Sequence, residues 1–312
     1  MGQFLDKHIN KILRHLFDPV RGLRWMIMLA LLTPMPYALA QLGYAGTIGI
    51  QPIHLFAYVY GDGVVRAMYV YDKFDTPIQV DGKLVGGVLE LHEQNDHKGE
   101  SAILRFEHFD MTQENVSGEW YRTDLSKRLP IVMKKEFVVE DGENLEASPL
   151  ELTQAAATRD LYFKTRVVKQ KDEYYPRVSA IKVFKKGTDV LLQTFNVDVE
   201  YRGVDNVSVD DYNFDGIEDF SVFESSYAGP DTSSLYFLRV PGAERFVESD
   251  FGGSSLEFDP AAKLIHEHSQ CCAGTKHMSA TYKVVKNKMV LVERKCFELD
   301  EEQGDLVTVK CE

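Results

Sequence analysis

The chain has 312 residues, of which 44% are hydrophobic and 27% are charged, so we expect a globular protein and not a disordered one. Its formal net charge of −13 argues against a nucleic-acid-binding protein, because such proteins concentrate Lys and Arg on one face. The same charge permits a cationic partner, or a metal ion held by carboxylates.

The first 40 residues predict export. Two arginines precede an apolar run of about 15 residues, which ends near the small-x-small motif of residues 38–40. This order is typical of a secretory signal peptide, and we expect cleavage after Ala40. The run is short for a membrane-spanning helix, although an uncleaved anchor in residues 1–40 is the alternative. We therefore expect a periplasmic or secreted bacterial protein that contacts membrane only through this segment. Residues 41–312 then carry a net charge of −16.

A first β-rich domain is predicted for residues 41–138. The stretch "IHLFAYVYGDGVVRAMYVYDKF" contains two alternating runs around Gly61-Asp62-Gly63, which indicates a hairpin. Similar short runs continue to the end of this part and are rich in Val, Tyr and Phe, which favour strands. They predict a meander of six to eight antiparallel strands, closed or sandwiched so that its edges are protected.

A linker and a second β domain are predicted to follow. Residues 139–158 are first acidic and then Ala-rich, with one Pro and few aromatic residues, so we expect a linker there. Residues 159–312 return to short alternating runs separated by turns. The expected fold class is therefore all-β, an antiparallel meander, propeller-like or sandwich arrangement in two parts.

The acidic stretch "DDYNFDGIEDF", residues 210–220, predicts a calcium loop. Acidic or amide residues occur at alternate positions, and Gly216 permits a sharp turn, as in calcium loops that gather oxygen ligands on one side. The predicted ligands are the side chains of Asp211, Asn213, Asp215 and Asp219 and the carbonyl of Ile217. An EF-hand is excluded because Val222 occupies the position of its bidentate Glu and strands flank the loop. A solvated turn and a catalytic carboxylate pair are the alternatives, but carboxylates that converge in a tight loop repel unless a cation holds them.

The four cysteines all lie in the last 42 residues. In an exported chain an even number predicts two disulfides. Adjacent Cys271 and Cys272 form a strained ring if they pair, so we expect bridges from this pair to Cys296 and Cys311, in an order that the sequence leaves open. A zinc site with nearby histidines is the alternative, although the spacings differ from those of common zinc motifs.

The loop sequence resembles the calcium loop of integrin-type FG-GAP repeats. The second half, in "DYNFDGIEDFSVFESS", "YAGPDTSSLYFL", "ERFVESD" and "LEFDPAAKLI", more closely resembles exported bacterial proteins related to lysozyme inhibitors. These include immunity proteins that accompany antibacterial type IV secretion systems. In the first half, "GVVRAMYVYDKF" and "VSGEW" are similar to the β-rich portion of the same family. The resemblance implies a protein that is not an enzyme and that inhibits a peptidoglycan hydrolase, with calcium as its cofactor.

The resemblance also implies a recognition loop that enters the cleft of a cationic cell-wall hydrolase. Polar and aromatic residues suited to a protein interface follow the acidic stretch. The predicted contact residues are Ser225, Ser226, Tyr227, Asp231 and Tyr236. An ordinary surface hairpin is the alternative at this position.

Two other classes of function stay open. One is a calcium-dependent adhesion or structural module of the envelope, and the other is a hydrolase. The hydrolase is less expected, because the chain has no G-x-S-x-G elbow, Walker A loop or dinucleotide-binding fingerprint.

Overall fold

The computed structural model describes residues 38–95, 99–139, 149–169, 173, 175–227, 229–300, 302 and 304–311. These residues form 21 β-strands and two short 3-10 turns, and no α-helix occurs among them. The predicted all-β, antiparallel class is confirmed. No helix in the described ranges is long and apolar enough to cross a membrane. Apart from residues 38–40, the predicted signal segment lies outside the described residues.

The first eight strands form a closed antiparallel barrel. They are β1 Ala38–Ile48, β2 Gln51–Tyr60, β3 Val64–Tyr71, β4 Pro77–Val85, β5 Val88–Asn95, β6 Gly99–Phe106, β7 Asn115–Arg122 and β8 Arg128–Val139. Each strand pairs with the next, and β1 pairs with β8 to close the cylinder. Alternating side chains fill the interior, so Leu42, Val65, Leu91 and Leu104 are at most 1% exposed.

Glycines in β1 permit barrel closure. At Gly46 a Cβ would collide with the carbonyl oxygen of Val132 in β8, and at Gly43 it would collide with the ring of Phe137. Gly46 therefore allows the backbones of β1 and β8 to approach closely, and Gly43 leaves room for the Phe137 ring. The first alternating run that the sequence predicts begins at Ile53, so β1 is not part of that prediction, because glycine weakens the strand signal in this stretch.

Two four-stranded sheets follow the barrel and pack against each other. The second sheet contains β9 Leu150–Ala157, β10 Leu161–Val168, β11 Arg177–Lys185 and β12 Val190–Glu200. The third contains β13 Val207–Asp210, β14 Asp219–Ser226, β15 Thr232–Arg239 and β16 Phe246–Glu248. Aromatic rings fill the space between them: the Phe163 and Phe220 centroids are 4.8 Å apart, and those of Phe195 and Phe237 are 4.6 Å apart.

Strand β9 lies within the predicted linker of residues 139–158. Residues 140–148 are outside the described residues, whereas the second half of the stretch pairs with β10. Leu152 is buried, and the fully buried Gln154 side chain accepts the backbone N–H groups of Asn206 and Val207. The Ala-rich composition concealed this strand, because Ala contributes little to the alternation of apolar and polar residues.

The fourth sheet has five strands and completes the chain. Its strands are β17 Glu257–Asp259, β18 Leu264–Cys271, β19 Lys276–Val285, β20 Lys288–Leu299 and β21 Leu306–Val309. Ile265 of β18 is fully buried in a core that it shares with Leu238 of the third sheet. The fourth sheet is thereby attached to the third by apolar packing.

A separate apolar cluster joins the barrel to the second sheet. Phe56 and Met68 on the outside of the barrel pack with Leu152 and Val167. The Asp75 carboxylate, in the turn after β3, also accepts the N–H of Gly187 at 2.8 Å. The four β units therefore form a continuous series, and each one shares a core with the next.

Candidate metal loop and binding groove

The acidic loop connects β13 to β14, and its aromatic residues are part of a core. Tyr212 is 7% exposed and Phe214 is 9% exposed. The Tyr212 ring centroid lies 5.0 Å from that of Tyr236 in the third sheet and 4.8 Å from that of Phe258 in the fourth. Aromatic pairs at such distances add to the stability gained by burial. The loop therefore holds the two sheets together.

The polar residues of the loop close a tight turn. The Asp211 carboxylate accepts the N–H of Asp215 at 2.9 Å and that of Gly216 at 2.8 Å. The Asn213 side-chain oxygen also accepts the Asp215 N–H, at 3.1 Å. Gly216 has a φ of 89°, a value that favours glycine. These bonds bring the side chains of Asp211, Asn213 and Asp215 to one side of the turn.

This arrangement fits part of the predicted ligand set. The Asn213 amide nitrogen lies 3.0 Å from Asp215 Oδ2, and Asp215 Oδ1 accepts the Ile217 N–H at 2.9 Å. Carboxylate and amide oxygens on one turn are the donors that Ca²⁺ prefers. Across the described residues, no group of three or more His, Cys, Asp or Glu side chains is arranged to hold a metal. The loop offers two carboxylates, those of Asp211 and Asp215, and the side-chain oxygen of Asn213 lies in the same turn.

Asp219 has a different environment from the other predicted ligands. It is fully buried, and its carboxylate accepts the N–H of Arg239 at 2.7 Å and that of Tyr212 at 3.0 Å. Burial and, to a smaller extent, the nearby Asp215 charge raise the pKa of Asp219 to about 7, although backbone hydrogen bonds act in the opposite direction. Both oxygens are thus hydrogen-bonded to backbone, and Asp219 ties the start of the loop to β15.

The predicted recognition residues divide into exposed and structural groups. Tyr227 is 52% exposed at the end of β14, and its hydroxyl donates to Ser233 Oγ at 3.2 Å. Ser226 is also exposed and donates from its N–H and hydroxyl to Glu200 of β12. Ser225 lies beside it in the strand, with its hydroxyl 3.1 Å from that of Ser233.

Two of these residues are largely buried. Tyr236 is 6% exposed and lies in the core between the third and fourth sheets, so the prediction that it contacts a partner is wrong. Asp231 is 7% exposed, and its carboxylate accepts the N–H of Gln270 in β18 at 2.8 Å. Sequence alternation places Tyr236 on one face of β15, but it does not reveal that the fourth sheet covers this face.

A groove of about 960 Å³ lies between the third and fourth sheets. Tyr227 and Asp231 line one side, and Gln270, Cys271 and Lys276 line the other. The predicted recognition residues lie on the first side only. The motif Cys-Cys-Ala-Gly between two alternating runs was the signal for a second hairpin, and this hairpin supplies the opposite wall.

The cysteines pair differently from the prediction. Cys296 and Cys311 form a disulfide with each other, with a Cα–Cα distance of 5.2 Å, while Cys271 and Cys272 are exposed and free. The predicted bridges between the two pairs are therefore wrong. Antiparallel pairing places Cys296 opposite Val309, which brings the chain end within reach. This register was not readable from the spacing of the cysteines.

Comparisons with known proteins give no family assignment. No protein-family model and no curated protein matches the chain. Among solved structures, the chain is similar to one titled "The Structure of Intact Ap-TbpB (N and C lobes)", with 9% sequence identity and a TM-score of 0.23. The match covers 83% of this chain and 76% of that one. A similarity at this level carries no argument about function.

Proposed function

We propose that this protein is an exported calcium-binding β protein of the bacterial envelope that binds and inhibits a cationic peptidoglycan hydrolase. The observation that carries the proposal is the groove, whose walls come from two sheets held together by the acidic loop. Tyr227 projects at the rim, and a half-exposed aromatic side chain is a common anchor in protein interfaces.

Calcium would act on the shape of the groove. A cation held by Asp211, Asn213, Asp215 and the Ile217 carbonyl would offset the repulsion between the two carboxylates. It would also fix Tyr212 and Phe214, which pack between the third and fourth sheets that supply those walls. The bound ion would thus order a recognition surface without taking part in chemistry.

Charge supports a cationic partner. Residues 41–312 carry a net charge of −16, and exposed acidic residues occur in all four β units. An acidic protein meets a basic enzyme at an increased association rate, because the long-range field steers the encounter. This contribution decreases as ionic strength rises.

A calcium-dependent adhesion or structural module is the second candidate, and one surface favours it. Val290, Leu291 and Val292 of β20 are 39%, 48% and 56% exposed. Adjacent exposed apolar residues on one strand often mark a contact surface. On this alternative, the exposed apolar residues 290–292 of β20, and not the groove, would contact the partner.

An inhibition assay tests the first proposal. The purified protein should slow cell-wall lysis by a basic muramidase, and Tyr227→Ala should weaken inhibition by roughly 30-fold or more, as expected for an interface anchor worth about 2 kcal/mol. Tyr175→Ala is the matched control, because Tyr175 is 69% exposed in the loop before β11 and does not line the groove. Failure to inhibit any peptidoglycan hydrolase would refute the inhibitor function.

Calcium binding has its own test. A ligand that binds only the folded protein stabilises it by about 2.7 kcal/mol at one hundred times its Kd, so calcium should raise the melting temperature. Asp215→Ala should abolish this rise. Asp250→Ala should retain it, because Asp250 is an exposed residue beside Lys288 and outside the loop. An unchanged calcium response in Asp215→Ala would refute the assigned ligands.

A further inference from the structure

The free thiols of Cys271 and Cys272 lie 3.0 Å apart at the turn between β18 and β19. This separation is about 1 Å longer than a disulfide bond. Both side chains are exposed and line the groove. The two sulfur atoms therefore need little movement to form a bond, and reagents in solvent reach them.

The backbone of this turn is strained. Cys272, Ala273 and Gly274 have φ values of 57°, 56° and 79°. The left-handed region is energetically costly for residues with side chains, and two of them are consecutive here. Hydrogen bonds preserve the geometry, because the Cys272 carbonyl accepts both the N–H and the hydroxyl of Thr275. The fold thus holds a costly conformation that orients adjacent thiols toward each other.

We propose that Cys271 and Cys272 form a reversible disulfide and are a redox modification site of this protein. The oxidant is a low-molecular-weight disulfide. One cysteine thiolate attacks a sulfur of this molecule and releases its first thiol, which leaves a mixed disulfide on the protein. The neighbouring thiolate then attacks the protein sulfur and releases the second thiol. The two cysteines together lose two electrons and two protons, and the two released thiol molecules take up both the electrons and the protons.

The bond should be easier to reduce than the disulfide between Cys296 and Cys311. Neighbouring Cα atoms are about 3.8 Å apart, which is below the usual range for disulfides of about 4.4–6.8 Å. Strained and exposed disulfides are the labile ones. The second bridge links residues whose Cα atoms are 5.2 Å apart, within that range.

Closing the ring would alter one wall of the groove. The bond would fix both sulfur atoms beside Gln270, whose N–H binds the buried Asp231 on the other wall. The thiol state of the turn is therefore coupled to the shape of the groove by a short hydrogen-bonded path. The chemistry of the pair does not depend on what the groove binds.

Peptide mapping of the full chain tests the proposal directly. Trypsin separates the cysteines into residues 264–276, residues 296–310 and residues 311–312. The protein is equilibrated with graded ratios of oxidised to reduced glutathione, alkylated and digested. Peptide 264–276 should lose two hydrogen atoms, without a cross-link, and should regain them at ratios where the other two peptides stay linked.

Cys271→Ser is the matched variant. It leaves Cys272 without a resolving thiol, so the same peptide should accumulate glutathione as a stable mixed disulfide. Linkage of peptide 264–276 to either of the other two peptides would overturn the proposal. Glutathione that stays bound to this peptide in the wild-type protein would also overturn it. Resistance of both thiols to oxidation at every ratio would also overturn it.

Discussion

Replacement of Tyr212 by Ala should loosen the fourth sheet selectively. The Tyr212 ring is 7% exposed and contacts Tyr236 and Phe258, and its hydroxyl lies 2.8 Å from Ser221 Oγ. Truncation of a buried aromatic ring to Ala costs about 3–5 kcal/mol, from lost burial and from the cavity left behind. Tyr212→Phe keeps the ring and removes only one hydrogen bond, so it should cost about 1 kcal/mol.

Hydrogen–deuterium exchange followed by mass spectrometry resolves where this loss occurs. An amide that exchanges through local opening becomes about tenfold faster for each 1.4 kcal/mol of lost stability. A loss of about 3 kcal/mol or more therefore predicts at least ~100-fold faster exchange in β18 and β19. Among the described residues, the barrel shares no apolar core with this region, so β2 to β4 should exchange at their original rates.

Two results would refute this reasoning. Unchanged protection of β18 and β19 in Tyr212→Ala would show that the loop does not attach the fourth sheet. Equal acceleration throughout the chain, barrel included, would show that the four β units unfold as one and not in sequence.

Three further predictions concern carboxylates elsewhere in the fold, and urea denaturation measures the change in stability for each. Glu93→Ala should destabilise the barrel by roughly 3 kcal/mol, because Trp120 Nε1, which donates to Glu93 at 2.7 Å, loses its acceptor. Asp160→Asn should cost about 1 kcal/mol at neutral pH, since Asp160 pairs with Arg239 and is partly screened by solvent. Asp75→Ala should cost about 1–2 kcal/mol, because a backbone N–H of the β11–β12 turn loses its acceptor.

The Asp160 prediction has a pH dependence with a definite sign. Its hydrogen bonds and charge pairing with Arg239 lower the pKa of the Asp160 carboxyl in the folded protein. The stabilisation is therefore present above the unfolded pKa of about 3.9 and is lost as the pH falls through the folded value. The deficit of Asp160→Asn should disappear in acid. A deficit that persists there would contradict the assignment to charge pairing.

Controls separate these effects from general damage. Asp75→Asn keeps a side-chain oxygen for the same N–H and tolerates the positive φ of 50°, so it should be close to wild type. Glu93→Gln keeps one acceptor and should lie between wild type and Glu93→Ala. Equal losses in each pair would show that shape, and not hydrogen bonding, explains the result.

The sequence predicted strands better than their packing. Alternation located the hairpin at Gly61-Asp62-Gly63, and β2 and β3 meet there. Closure of the barrel was not predicted as such, because the pairing of β1 with β8 joins segments far apart in the chain. The alternation of apolar and polar residues also assigns Tyr236 to one face of β15, but it does not say which element covers that face. The burial of Tyr236 is therefore visible only in the tertiary structure.

For the candidate site, as for the fold, the sequence predicts local features but not their tertiary contacts. Residue types and spacing identified the polar side of the acidic loop. They did not show that Tyr212 and Phe214 anchor the loop in a core, or that Asp219 binds backbone N–H groups. The pairing of Cys296 with Cys311 depends on the register of β20 and β21, which the spacing of cysteines does not encode.

The pairing of strands in chain order has a consequence for folding. Within the described residues, every ladder joins consecutive strands except the one between β1 and β8. Consecutive pairing keeps contact order low, and low contact order favours fast folding. The three sheets can each form from a local segment, whereas the barrel closes only after some ninety intervening residues are in place, with the entropy cost of a long loop. Barrel closure should therefore be the slowest step, and Gly46, which permits that last ladder, should influence folding rate more than residues of the later sheets.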